Sequence, residues 1–386
     1  MSVDLSRYSF NAGEKTGPLA DLGLLPKMDQ VRLIEAGINV QDHNVSGAFM
    51  QINREGVHCN TRHEGVELLS IQAALKKYDG LPRHFWNLLD PEKDDLARTA
   101  KANLGGGYFI RAKKGVKITE PLQSCMFIKG ARVGQSVHNI VIVEEGAEVH
   151  ILNGCATSKS TEEALHLGFT EYYVEKGGKL TFTMVHNWGE NVTVRPRSAG
   201  IVESGGQFQS NYILLKTVGD LSMYPVIKLV GENAVSRFNS VIVAPKGSNL
   251  DCGNRIELNA PKTRGEVIAR VLTVGGKVVS RGFIGAEASP VKGHLECKGL
   301  ILGGGSIHTI PELYSCQDGV ELSHEAAVGK IAQEEIEYLM ARGLDEDEAA
   351  STIVRGFLNV DIMGLPDQLK DAMNEQIATL NSSAAL

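Results

Sequence analysis

The stretch NIVIVEEGAEVHILNGCATSKSTEEALHLGFTEYYVEKGGKLTFTMV, residues 139–185, decides how this chain folds. It opens on a β-branched run at residues 139–143 and breaks at Glu145-Gly146-Ala147-Glu148. It closes on a second run at residues 179–185, directly after Lys176-Gly177-Gly178-Lys179. Branched and aromatic side chains suit a pleated surface, and glycine tolerates the left-handed backbone of a tight turn, so the pattern reads as strands punctuated by turns.

Working outward, similar runs occur at residues 226–230, 240–243 and 267–274, with further turns at Ser204-Gly205-Gly206-Gln207 and Lys246-Gly247-Ser248-Asn249. Of the 42 glycines, 30 fall within residues 101–320, which marks that part as a β core. The last three of the four turns start 28 and 42 residues apart. That is too irregular for a consensus solenoid but compatible with coils carrying different loop insertions. The pattern leaves a parallel β-helix and a jelly roll both open. It excludes a doubly wound fold, because few long amphipathic helices interrupt the strands.

Residues 1–100 read as a mainly helical domain, with apolar positions at helical spacing in Val66, Leu69, Ile71, Ala74, Leu75 and Tyr78, and short helices near 31–36 and 96–102. Gly105-Gly106-Gly107 places a boundary near residue 100. In residues 321–386 helices return. Ile336, Leu339 and Met340 form one apolar face, and Gly343 supplies a left-handed stop. Asp345 with Glu348 makes a capping pair for a second helix, whose apolar face carries Ala349, Ile353 and Phe357. The result is an αα-hairpin, either a lid on the core or a docking element for another protein.

With 39 Lys plus Arg against 46 Asp plus Glu, the net charge of −7 argues against a broad grip on nucleic acid. No run approaches the roughly 18 to 20 apolar residues that span a bilayer. The N-terminal stretch with Asp4, Arg7 and Asn11 lacks an apolar signal core, so a cytoplasmic protein is expected. The six cysteines, Cys59, Cys125, Cys155, Cys252, Cys297 and Cys316, form no C-x-x-C pair and read as thiols in a reducing compartment.

No P-loop is present, since Lys277 and Lys330 follow glycines without the motif's first glycine, so ATP hydrolysis is not expected of this chain. Dinucleotide, zincin and hydrolase-elbow motifs are also absent. What remains is a concentration of metal-binding side chains: His294, Cys297, His308, Cys316, His324 and Glu325. Thiolate, imidazole and carboxylate together suit a labile metal or cluster site, and solvated histidines with core cysteines are the plainer reading. A second group is Asn153-Gly154-Cys155-Ala156 with His186-Asn187-Trp188. There a glycine-adjacent thiol is either presented to a sulfur donor or simply buried in a turn.

Taken in order, these residues resemble the SufB/SufD family of iron–sulfur cluster assembly proteins. The resemblance is carried by Asn153-Gly154-Cys155, His186-Asn187-Trp188, the run from Glu296-Cys297-Lys298 to Gly303, and His308-Thr309-Ile310-Pro311. Its most specific part runs from Leu322-Ser323-His324-Glu325-Ala326 through Gly329-Lys330-Ile331 to Tyr338-Leu339-Met340-Ala341-Arg342-Gly343-Leu344. It implies a mainly β fold, a right-handed parallel β-helix core flanked by N- and C-terminal helical domains.

The resemblance also implies a non-enzymatic scaffold that accepts sulfur and iron, builds a nascent cluster of 4Fe-4S or 2Fe-2S type, and hands it to apo iron–sulfur proteins. Whether a flavin takes part stays open. Carried over by motif, Cys155 accepts sulfur from a sulfur donor system and Trp188 lines its route, while Cys297, His324 and Glu325 are implicated in cluster formation. A separate SufC-type ABC ATPase is expected to dock on the C-terminal hairpin through Ile336, Tyr338, Leu339, Met340, Ile353 and Phe357.

Pro311-Glu312-Leu313 is similar to SufD, whereas the pair Cys297 and Glu325 is SufB-like. That mixture suits a homodimer in place of a pairing with a SufB/SufD-type paralogue, with cluster residues meeting across a two-fold axis. The alternative is a SufD-like accessory subunit without its own cluster. A β-helix carbohydrate-active enzyme is the remote reading, and it requires an acidic and basic cluster along one coil face.

Overall fold

A computed structural model describes residues 3–11, 16–41 and 45–358. Through residues 133–187 the chain alternates between two sheets. Strand Val133–Val143 lies in one, Glu148–Thr157 in the other, Ala164–Val174 returns to the first and Lys179–Asn187 to the second. Each pairs in parallel with its counterpart one coil later: His138 lies opposite Phe169, and Cys155 opposite His186. Parallel stacking of successive coils makes this core a β-solenoid, as expected, and eliminates the jelly roll.

The turn spacing is more regular than the glycines alone indicate. Left-handed residues at Gly146, Gly177, Gly205, Asn233 and Lys262 form one row of turns, spaced 31, 28, 28 and 29 residues apart. The Gly247 turn belongs to a second row with Gly275 and Gly303, spaced 28 residues apart. The interval of 42 therefore joined turns from different rows, and Asn233 and Lys262 adopt positive φ without being glycine. The first row is tied coil to coil. The Gly146 N–H donates to the Lys176 carbonyl at 3.0 Å, and the Gly177 and Gly205 N–H groups donate to the next turns at 2.9 Å.

Alternation along each strand divides the side chains. Val137, Val141 and Val143 face the interior, whereas Ile140 and Ile142 face outward beneath Ile71, Ala74 and Leu81. An aromatic stack fills the interior, with ring centroids of Phe208 5.1 Å from Tyr172 and 5.9 Å from Phe238.

The first hundred residues differ from the mainly helical expectation. Strands Gly47–Ile52, Glu55–Thr61 and Val66–Ser70 extend the two sheets, so the β core begins well before residue 101. The helix expected through Val66 and Tyr78 is a strand followed by helix Ile71–Lys77. Val66 and Leu68 alternate into the interior while pairing antiparallel with Tyr108–Ala112, and the Ser70 hydroxyl caps the helix by accepting the Ala73 N–H at 3.2 Å. Helices Lys27–Glu35 and Asp95–Ala102 lie where helices were expected. Gly105-Gly106-Gly107 is a close approach within the core rather than a linker: a Cβ on Gly107 would meet the His138 carbonyl at 2.0 Å.

At the other end the β core passes residue 320, because strand Val320–Gly329 adds the last coil. Helices Gln333–Met340 and Glu346–Leu358 form the expected hairpin, with Gly343 at φ 100° and reciprocal bonds between Asp345 and Glu348 at 2.8 and 3.1 Å. Its buried face is Ala349, Val354 and Leu358, with Ile353 and Phe357 only partly covered. The second helix is rotated from the expected face because Val354 and Leu358 fill a groove among Leu152, Val185 and Ile213 on the outer wall. Residues 359–386 of the C-terminal domain reading lie outside the described residues. No helix among the described residues is long and apolar enough to cross a membrane.

Candidate functional site

Strand Glu148–Thr157 directs Cys155 inward and Gly154 outward. The glycine is required there, since a Cβ would meet the Ala36 carbonyl at 2.7 Å where the chain leaves helix Lys27–Glu35. Cys155 is 2% exposed, its sulfur accepts a hydrogen bond from Asn153 Nδ2 at 3.2 Å, and burial pushes the thiol up to about 12. This is a protonated thiol inside the solenoid, not one presented on a turn.

Beside it lies a polar pocket in the interior. Trp188 is 1% exposed and packs its ring 4.9 Å from His166 and 5.6 Å from His186. His166 Nδ1 is 2.9 Å from Gln135 Oε1, and His186 Nδ1 is 3.0 Å from the Tyr212 hydroxyl. Burial lowers both imidazoles to about 3, so they are neutral. With Tyr212 donating to Nδ1, His186 carries its proton on Nε2. That atom and Trp188 Nε1 are buried without a hydrogen-bond partner in the protein. Two unsatisfied N–H donors in a closed interior are costly unless a guest accepts from them.

From Tyr212 one register row continues toward the end of the solenoid through Ser240 and Ala269 to Cys297, one residue per coil. Asn254 from the facing sheet donates to Ser240 Oγ at 3.3 Å, and Cys252 on the same strand also faces the interior. Sequence reading missed His166, Tyr212, Ser240 and Cys252. Their only sequence signal is the coil-to-coil separation, which is 26 residues from His186 to Tyr212 and 28 from Tyr212 to Ser240.

Strand Val291–Ile301 turns Cys297 inward, where burial raises its thiol to about 11. His324 pairs in register with Leu295 and so shares the inner side, but no later coil covers it and it is exposed. Glu325 pairs with Glu296 on the outer side. Cys297 and Glu325 thus belong to opposite faces of one sheet. The ligand atoms of His294, Glu296 and Glu325 all lie within 4.8 Å of one another. Glu296 was not singled out as a ligand from the sequence. His308 and Cys316 sit exposed on or beside strand Ser306–Ser315 and do not join this group.

Around the outer trio the carboxylates are paired. Lys298 Nζ is 3.3 Å from Glu296 and 3.2 Å from Glu325, and Arg270 contacts Glu296. Burial raises the Glu296 carboxyl, but Arg270 and Lys298 outweigh it and hold it below its ordinary value. On the hairpin, Tyr338 and Met340 are exposed, whereas Ile336, Leu339, Ile353 and Phe357 are partly covered.

A family model described as SUF system FeS cluster assembly, SufBD core domain, matches residues 126–357. An iron–sulfur cluster assembly SufBD family protein of Archaeoglobus fulgidus is 45% identical over 366 residues, covering 95% of this chain and 97% of the relative. One from Methanothermobacter thermautotrophicus is 42% identical, covering 95% and 91%. The iron–sulfur cluster assembly protein SufB of Bacillus subtilis is 32% identical, covering 86% and 73%.

Proposed function

The chain belongs to the SufBD family of iron–sulfur cluster assembly proteins, and from that membership we propose that it is the scaffold subunit on which a cluster is built and from which it is passed on. The observation that carries this reading is the shared interior of Cys155 and Cys297. Both thiols belong to one enclosed core, joined by the row from His186 through Tyr212 and Ser240. Cys155 takes a sulfane sulfur from a donor persulfide: the donor's S–S bond breaks, a new one forms on Cys155, and the donor leaves as a thiolate. The unpaired N–H groups of Trp188 and His186 are placed to accept the terminal sulfur anion, in a pocket closed to water.

The cluster is cargo here. Cys297 and His324 hold it from the inner side and Glu325 from the outer, at the last coil, where strands Ser306–Ser315 and Val320–Gly329 are each paired on one side only among the described residues. Such an edge is a template for a second copy of this chain or a paralogue. A SufC-type ABC ATPase docks on the hairpin through exposed Tyr338 and Met340, with acidic residues 334, 335 and 337 around them. ATP hydrolysis belongs to that partner.

Anaerobic reconstitution with iron and sulfide, in the presence of the ATPase, tests the reading by metal and sulfide counting and Mössbauer spectroscopy. A cluster retained by the parent and lost from Cys297→Ala is the expected result. A full, transferable cluster in Cys297→Ala with Glu325→Ala overturns it in favour of an accessory role.

A further inference from the structure

Residues 296 and 297 are adjacent in sequence and face opposite sides of the solenoid wall, with Cys297 in the interior core and Glu296 outside beside Glu325. The outer side carries one imidazole and two carboxylates from two neighbouring strands, converging within 4.8 Å. A first-row divalent ion with bonds of about 2.1 Å needs its ligands only slightly closer than that, which small side-chain rotations supply. Glu296 is held by its strand and by Arg270, His294 Nδ1 is 2.9 Å from Ser323 Oγ, and Glu325 is more than half exposed and free to swing.

The two carboxylates already converge on a cation. Lys298 sits between them at 3.3 and 3.2 Å, one ammonium bridging oxygens from two strands. Lys298 is itself partly exposed, so its side chain can leave.

We propose that His294, Glu296 and Glu325 form a loading site for ferrous iron on the outer wall, with Lys298 as a displaceable placeholder. The site rests on the scaffold reading for its choice of metal. Imidazole and carboxylate without thiolate bind ferrous iron in an exchangeable way, which suits a metal that must be given up. Iron then arrives on the outside of the strand that holds the acceptor thiol on its inside. The two ingredients stay on opposite faces until the edge strand carrying Glu325 shifts, and Glu325 is the ligand common to loading and assembly.

The test is anaerobic equilibrium dialysis of the full chain against Fe(II) alone, without sulfide, with Co(II) absorption as a second probe. His294→Ala and Glu296→Gln are each expected to weaken Fe(II) binding about tenfold or more, as loss of a ligand should exceed loss of a supporting contact. Lys298→Gln is expected to tighten it severalfold, which a merely structural lysine would not do. Unchanged binding in His294→Ala, no tightening in Lys298→Gln, or no Fe(II) bound by the parent overturns the site. Thermal melts verify that each variant is folded. Reconstitution with iron and sulfide is run in parallel. Clusters formed without Fe(II) binding at the trio remove the loading site and leave the scaffold. Normal Fe(II) titration with no cluster removes the scaffold and leaves the site.

Discussion

His186 Nδ1 and the Tyr212 hydroxyl lie 3.0 Å apart inside the solenoid, with His186 opposite Cys155 in the register and Tyr212 three strands short of Cys297. This hydrogen bond joins the row that starts at one thiol to the row that ends at the other. It also fixes the His186 ring, leaving Nε2 beside Trp188 as an interior donor.

Replacing Cys155 with Ser is expected to abolish persulfide formation from a protein sulfur donor while leaving the fold intact, measured by mass spectrometry after transfer. Cys59→Ser is expected to retain loading, although Cys59 is exposed and Cys155 is buried. Alkylation should show the reverse order, with Cys59 and Cys316 modified first. Equal loading of the Cys155→Ser protein would remove Cys155 from the route.

The buried histidines set a pH dependence. His166 and His186 titrate at about 3 when folded, while an unfolded histidine titrates near its ordinary value, so the unfolded chain binds more protons between those values. Stability is therefore complete above about pH 6.5 and falls on acidification, by at most about 1.4 kcal/mol per pH unit for each histidine. Urea unfolding between pH 7 and 5 checks this. His166→Gln, which can still pair with Gln135, should show a shallower slope.

Gly154→Ala is expected to destabilise the protein by about 1 to 3 kcal/mol, the range for forcing a methyl into packed structure. The added carbon would lie 2.7 Å from the Ala36 carbonyl and from Ile38. Thermal unfolding measures the loss, and an unchanged midpoint would show that the Lys27–Glu35 segment yields without cost.

On the hairpin, Tyr338→Ala with Met340→Ala should weaken ATPase binding by about tenfold or more, as expected of exposed aromatic anchors, without moving the melting temperature. Val354→Ala should do the opposite, lowering stability by about 1 kcal/mol or more through a cavity on the outer wall. Point substitution is the better probe than deletion, because removing the second helix would expose Leu152, Val185 and Ile213. Binding that survives the double substitution would place the ATPase elsewhere.

At the open coil, Val328 and Leu313 are 44% and 38% exposed. Lysine at both positions is expected to convert the self-associated form to monomer, since a charged edge opposes strand addition. Analytical ultracentrifugation reads the outcome, and an unaltered dimer would exclude this edge as the contact.

Local chemistry alone reaches a long way in this protein. Glycine at residues 146, 177 and 205 permits the left-handed turns, β-branched runs form the strands between them, and Asp345 with Glu348 starts the last helix. Those are short-range effects, and the motifs around Cys155, Cys297 and His324 are contiguous, so both the β core and the family are legible in the linear chain. The strands at residues 47–70 were not, because Val66, Leu68 and Leu69 fit helical spacing as well as alternation until Tyr108–Ala112 pairs with them.

Facing depends on partners about 28 residues away. Alternation says that residues 296 and 297 point to opposite sides, but only coil closure shows which side is inside, and only register sets Glu325 beside Glu296 rather than beside Cys297. The same register lines up His186, Tyr212 and Ser240 in the interior without any motif to announce them. A one-residue slip would exchange interior and exterior for a whole strand, and that slip is opposed by the collective packing of the coils above and below it.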